Sequence, residues 1–168
     1  MSQLKVNRIT DLNNADLFKP TLMTAINTTS GTYHDFIGMP SWVKRITVMF
    51  SGVSGSGTSL PQVQLGTSSG IIVTGYDSTV MWGTSYVASA TGMLIGGGTA
   101  SDSRSGSMII AKLNDGIYTA FGIVRTSTTA CMMSGGSVTL TGIIDRIRIT
   151  TVNGTDTFDA GVVNIMYE

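Results

Sequence analysis

Hydrophobic and polar positions alternate with a period of two along much of this chain. From Asp145, Ile147 and Ile149 face one way and Arg146 and Arg148 the other. After the polar run Asn153-Gly154-Thr155-Asp156-Thr157, Val163, Ile165 and Tyr167 share one face, with Asn164, Met166 and Glu168 on the other. Successive strand side chains point to opposite faces, so each segment predicts a half-buried strand. The second runs to Glu168, and its pattern predicts a strand held centrally in a sheet rather than a frayed tail. The same alternation sets Ile46, Val48 and Phe50 against Arg45, Thr47 and Met49, and sets Val63 and Leu65 inward with Gln62 and Gln64 outward. MIIAKL and IYTAFGIVR flank Asn114-Asp115-Gly116, whose Asp-Gly pair predicts an antiparallel hairpin between 108–113 and 117–125.

From Ser30 onward short apolar runs are separated by turn residues, the pattern of an all-β sandwich or barrel. Residues 31–168 therefore read as one β-sandwich domain. Residues 1–30 read as an N-terminal arm: they are polar around Asp11–Asp16, Pro20 interrupts them, and Leu4, Val6 and Ile9 are apolar in a segment too short for a core of its own. Burying those three side chains requires a surface from elsewhere. Between Gly66 and Ser107 the chain is rich in Gly, Ser and Thr, with Tyr76, Trp82 and Tyr86 among them, which reads as edge strands and long loops. A weak echo links RITVMFSGVSGSGT at 45–58 to RIRITTVNGTDTF at 146–158, each a strand running into a glycine-containing loop, as at equivalent positions in two packed sheets.

Composition supports this class. The 168 residues suffice for one domain with a real core. Hydrophobic residues make up 42% and charged residues only 12%, so Ser, Thr, Gly and Asn must carry solubility. Glu168 is the only glutamate, and long amphipathic helices are not expected. The formal net charge is zero, which gives no overall attraction to nucleic acid or an anionic membrane but favours permanent self-association. Cys131 is the one cysteine, so no internal disulfide forms, and its apolar neighbours suggest a small buried hydrophobe. MSQLKVNRIT lacks the apolar core of a secretion signal, and no run approaches the roughly 18 apolar residues of a membrane helix. Synthesis in a cytoplasm without membrane insertion is the expectation.

Candidate chemistry is sparse. Gly52-Val53-Ser54-Gly55-Ser56-Gly57-Thr58 lacks the lysine and following helix of a phosphate loop. His34 is the only histidine, so one chain cannot build a histidine metal cluster, and as a strand neighbour of Asp35 it points to the opposite face. The internal acids are all Asp, mostly in turn settings where Asp bonds its own backbone. No catalytic residues, cofactor or metal are expected. If the chain were a polysaccharide-degrading enzyme, Asp77, Asp102 or His34 would be its acid or base. If it binds a surface, Tyr76, Trp82 and Tyr86 are the candidate contacts, since aromatic rings stack on sugars and anchor interfaces.

The stretches Ser30-Gly31-Thr32-Tyr33, Asp35-Phe36, Gly38-Met39-Pro40-Ser41-Trp42 and Lys44 to Phe50, together with Asp145 to Gly161 and the strand to Tyr167, resemble a β-domain of tailed-bacteriophage virion proteins. The opening Leu4-Lys5-Val6-Asn7 is similar to fibre N-termini that attach to a virion scaffold. The resemblance implies a non-enzymatic virion component made in the host cytoplasm: a jelly-roll sandwich, homotrimeric, attached through Leu4, Val6 and Ile9 to other virion proteins. Loops from the unmatched middle, 66–140, would contact a host glycan or protein. A short tail fibre and a capsid decoration or head fibre are the two placements it implies.

Overall fold

A computed structural model of the chain describes residues 20–126 and 130–168. Fourteen strands follow one another: β1 (Thr21–Leu22), β2 (Ile26–Asn27), β3 (Tyr33–Ile37), β4 (Arg45–Gly55), β5 (Pro61–Thr67), β6 (Gly70–Ile71), β7 (Tyr76–Trp82), β8 (Ser85–Ser89), β9 (Met93–Leu94), β10 (Arg104–Lys112), β11 (Ile117–Thr126), β12 (Ala130–Thr139), β13 (Ile144–Thr151) and β14 (Phe158–Tyr167). No helix occurs among the described residues. The large sheet runs β1, β14, β4, β10, β11, β12, β7, β8, with β2 also on β14. The small sheet runs β3, β13, β5, β6, with β9 also on β5. Neighbouring strands pair antiparallel, and the molecule is an all-β, two-sheet sandwich.

The alternation sets which side chains fill the space between the sheets. Ile46, Val48 and Phe50 of β4 meet Ile147 and Ile149 of β13, Val63 and Leu65 of β5, and Val163 and Ile165 of β14 in one buried cluster. Arg45 lies on the outer face, as its place in the pattern requires. Gln62 and Gln64 point away from this core, as the alternation predicts, yet are buried. The segment at Thr91 folds over them: the Thr91 hydroxyl donates to Gln62 Oε1 at 3.0 Å, and Gln64 Nε2 donates to the Thr91 carbonyl at 2.8 Å.

The terminal strand is internal. β14 lies between β4 on one side and β1 and β2 on the other. Residues 20–30, assigned above to the arm, therefore run along the body, where buried Thr28 donates its hydroxyl to the Ala160 carbonyl at 2.7 Å. Leu4, Val6 and Ile9 lie outside the described residues. The β10–β11 hairpin forms antiparallel as expected, with Lys112 opposite Tyr118 and Gly116 at φ +93°, a conformation that a side chain resists.

β13 and β14 are consecutive yet belong to different sheets, so the polar loop between them is a crossover. The β4–β5 connection crosses between the sheets in the same way. The two crossovers meet: Ser59 N donates to Asp156 Oδ2 at 2.9 Å, Asn153 N to Ser59 Oγ at 3.0 Å, and Thr157 N to Ser56 Oγ at 3.0 Å. Asp156 is held below the usual carboxylate range, first by the Asn153 amide and then by the Ser59 backbone.

Candidate functional site

The three aromatic residues singled out from sequence separate in the fold. Tyr76 is a core residue: it is buried, its hydroxyl donates to the Ile72 carbonyl at 2.9 Å, and it accepts from Leu65 N at 2.8 Å. Burial pushes its phenol up to about 12, with the Leu65 hydrogen bond pulling weakly the other way. Buried in this way, Tyr76 offers no face to a ligand. Trp82 and Tyr86 sit on the β7–β8 hairpin at one edge of the large sheet. Trp82 packs partly buried on Val80, Leu94 and Met132, and Tyr86 is exposed.

Two of the three acid-base candidates, His34 and Asp77, lie far apart. His34, in β3, packs its ring 5.2 Å from that of Phe158 in β14. Asp77 is on the outward face of β7, five strand spacings along the large sheet from β14, or about 24 Å. Burial holds His34 below its ordinary value of 6.5 against the opposing pull of the Ser30 backbone and Asp35. The ring is half-buried, and its Nε2 has no hydrogen-bond partner among the described residues, which suits a neutral imidazole. His34 and Asp77 cannot act on one bond.

Asp102 and Trp82 do come together. They line a cleft of about 430 Å³ with Leu60, Val87 and Met132. Beneath it Arg104 is fully buried, its Nε donating to the Gly96 carbonyl at 2.8 Å, Nη2 to that of Gly97 at 2.6 Å and Nη1 to that of Asp102 at 3.1 Å. Gly96 and Gly97, at φ +107° and +78°, allow this close wrapping of backbone round the guanidinium. Burial lowers the Arg104 pKa, and Asp102 and Asp159 oppose that shift. The Asp102 carboxylate accepts from Thr99 N at 3.1 Å and lies 3.9 Å from Arg104 Nη2. These groups brace a loop.

The outer face of the small sheet is polar. Arg148 grips Asp35 with two hydrogen bonds of 2.8 and 2.7 Å, and its guanidinium lies 3.9 Å from the centre of the exposed Tyr33 ring. The side-chain bond to Asp35 is the main cause of the raised Arg148 pKa.

The outer face of the large sheet is different. The register aligns Met49, Ser107, Ile123, Met133, Met81 and Tyr86 across six strands. The next row holds Thr47, Ile109, Phe121, Gly135, Thr79 and Ala88. Phe121 is 58% exposed, Ile123 52%, Met133 55%, Met81 46% and Tyr86 74%. Along β10, β11, β12, β7 and β8 the only charged outward side chains are Arg125 and Asp77. Of this belt, the sequence singles out Tyr86 and, at its margin, Asp77; Cys131, expected to be buried, is instead exposed on the same face opposite Arg125. The signal was available in IYTAFGIVR, which is apolar on both faces: Tyr118, Ala120 and Val124 bury inward while Phe121 and Ile123 point out.

No family model, curated protein or solved structure matches this chain.

Proposed function

We propose that the chain is a non-enzymatic structural component of a tailed-phage virion, a jelly-roll-type body on the particle surface attached through the arm residues Leu4, Val6 and Ile9. The observation that carries this reading is a division of labour within the sandwich. The stretches that resemble phage virion domains, 30–50 and 145–167, are far apart in sequence yet pair with each other, β3 with β13 and β4 with β14, into a frame spanning both sheets. The unmatched middle builds the far flank of the large sheet, with the Trp82 cleft and the apolar belt. A frame that resembles virion domains, bearing a separate outer flank, suits a surface component, because attachment and recognition then fall to different parts of the fold. The dispersal of His34 and Asp77 to opposite ends of the fold favours this reading over a polysaccharide-degrading enzyme. Mass spectrometry and cryo-electron microscopy of virions from the phage that encodes the chain test it. The expected result is the chain in purified particles with density on their surface; particles lacking it overturn the proposal.

A further inference from the structure

We infer that the outer face of the large sheet is where a second copy of this chain docks, face to face about a two-fold axis. The inference goes beyond the virion reading and stands without it. The belt spans six strands, about 29 Å at the usual spacing, and about 20 Å along them, or about 600 Å² a copy. Two copies would bury about 1,200 Å², which clears the roughly 1,000 Å² expected of a specific interface. Left wet, five exposed large apolar side chains in one contiguous patch lie at the upper end of what a soluble monomer shows, where such patches often serve an interface.

Charge placement selects a second copy as the occupant. Arg125 on β11 and Asp77 on β7 sit two strands apart and at opposite ends of the belt along the strands, because Arg125 is opposite Cys131 on β12 whereas Asp77 is opposite Ser137. By strand spacing they are about 22 Å apart, with the uncharged belt between them. No ion pair engages either one among the described residues. A two-fold axis in the interface, perpendicular to the line joining these two residues at its midpoint, lays the belt on itself and brings Arg125 of each copy to the partner's Asp77. The contact is isologous, so the expected species is a dimer and not the trimer implied by the phage resemblance.

Sedimentation of the full chain across a concentration series tests this. The expected result is a dimer. Ile123→Thr with Met133→Thr keeps good strand formers at exposed positions and is expected to weaken the dimer at least a hundredfold. Asp77→Arg alone is expected to weaken it about tenfold, and adding Arg125→Asp to restore it to within about threefold. One chain cannot produce that restoration, since the two side chains are too far apart to meet within it. Should a variant misfold, peroxide footprinting of the unaltered protein reads the same face: Met81 and Met133 are expected to oxidise more slowly above the association midpoint than below it. A monomer at about 100 µM, a trimer, a dimer indifferent to these substitutions, or equal oxidation at all concentrations overturns the proposal.

Discussion

The two flanks of the large sheet finish their edges in opposite ways. At the β14 flank the edge is covered by β1 and β2, and Arg45 is ion-paired to Glu168 beside it. At the other flank β8, Ser-Tyr-Val-Ala-Ser, carries no charge and no proline, and no strand pairs beyond it among the described residues. Native sheets blunt their edges with charge, proline or cover. The first flank is finished as a surface and the second is left adhesive. The difference also runs through the sheet faces: paired charges clothe the small sheet and the frame, whereas the middle of the chain clothes its outward face with Phe, Ile and Met.

Removing residues 160–168 should break the frame outright. It deletes most of β14 and with it the buried Val163 and Ile165, and it leaves β4 with orphaned ladder groups. Each such side chain contributes about 1.5–3 kcal/mol against a total stability of about 5–15 kcal/mol. Circular dichroism should show no cooperative melt. A truncated chain that melted like the full one would mean that β14 is dispensable and the frame lies elsewhere.

Arg104→Leu should come next in size. Arg104 joins the two regions, since its guanidinium ties the Gly96–Gly97 loop of the middle to the frame, where it also reaches the Val53 carbonyl of β4 at 3.5 Å. Losing the cation leaves several buried carbonyls without donors, a cost of about 3 kcal/mol. Urea melts should show that loss, and a change below about 1 kcal/mol would mean that water replaces the guanidinium.

Tyr76→Phe sharpens the same joint. The hydroxyl bridges Leu65 N of β5 and the Ile72 carbonyl, so its removal leaves two buried backbone groups unsatisfied at about 1–3 kcal/mol while the ring still fills its place. The expected melt is cooperative with a lowered Tm, and an unchanged Tm would reassign Tyr76 to packing alone.

Most of the sandwich was legible before the structure because period-two alternation is a direct readout of one wet and one dry face. Ile46, Val48 and Phe50, and Val163, Ile165 and Tyr167, fall where their pattern puts them. The covered glutamines were not legible: alternation reports the face a side chain takes and not what folds over that face from 29 residues along the chain, as Thr91 does over Gln62. The belt was hidden for a related reason. A strand apolar on both faces looks like a buried strand, and only the sheet order shows that no described residue covers its far side. Tyr76 misled because an aromatic residue in a Gly- and Ser-rich stretch reads as a surface contact, whereas its hydroxyl is used inside.

The smallest expected effect separates the two regions by acid. The single histidine belongs to the frame. Burial depresses the His34 pKa below 6.5, so between that value and its folded pKa the unfolded chain binds more protons than the folded one. Stability then rises with pH across this window and falls as pH drops below 6.5. The carboxylates Asp145 and Asp156 act lower: hydrogen bonds from Arg146 and Asn153 depress them, and the stability they contribute is lost only as pH falls below their ordinary 3.8. A fall in Tm between pH 7 and pH 5 therefore reports His34 rather than the acids. His34→Phe, which keeps an aromatic ring against Phe158 and removes the titrating nitrogen, should flatten that fall and leave the acid limb below pH 4 in place. An unchanged pH profile in the variant would show that the ring reaches water freely and that the frame is looser at β3 than its burial indicates.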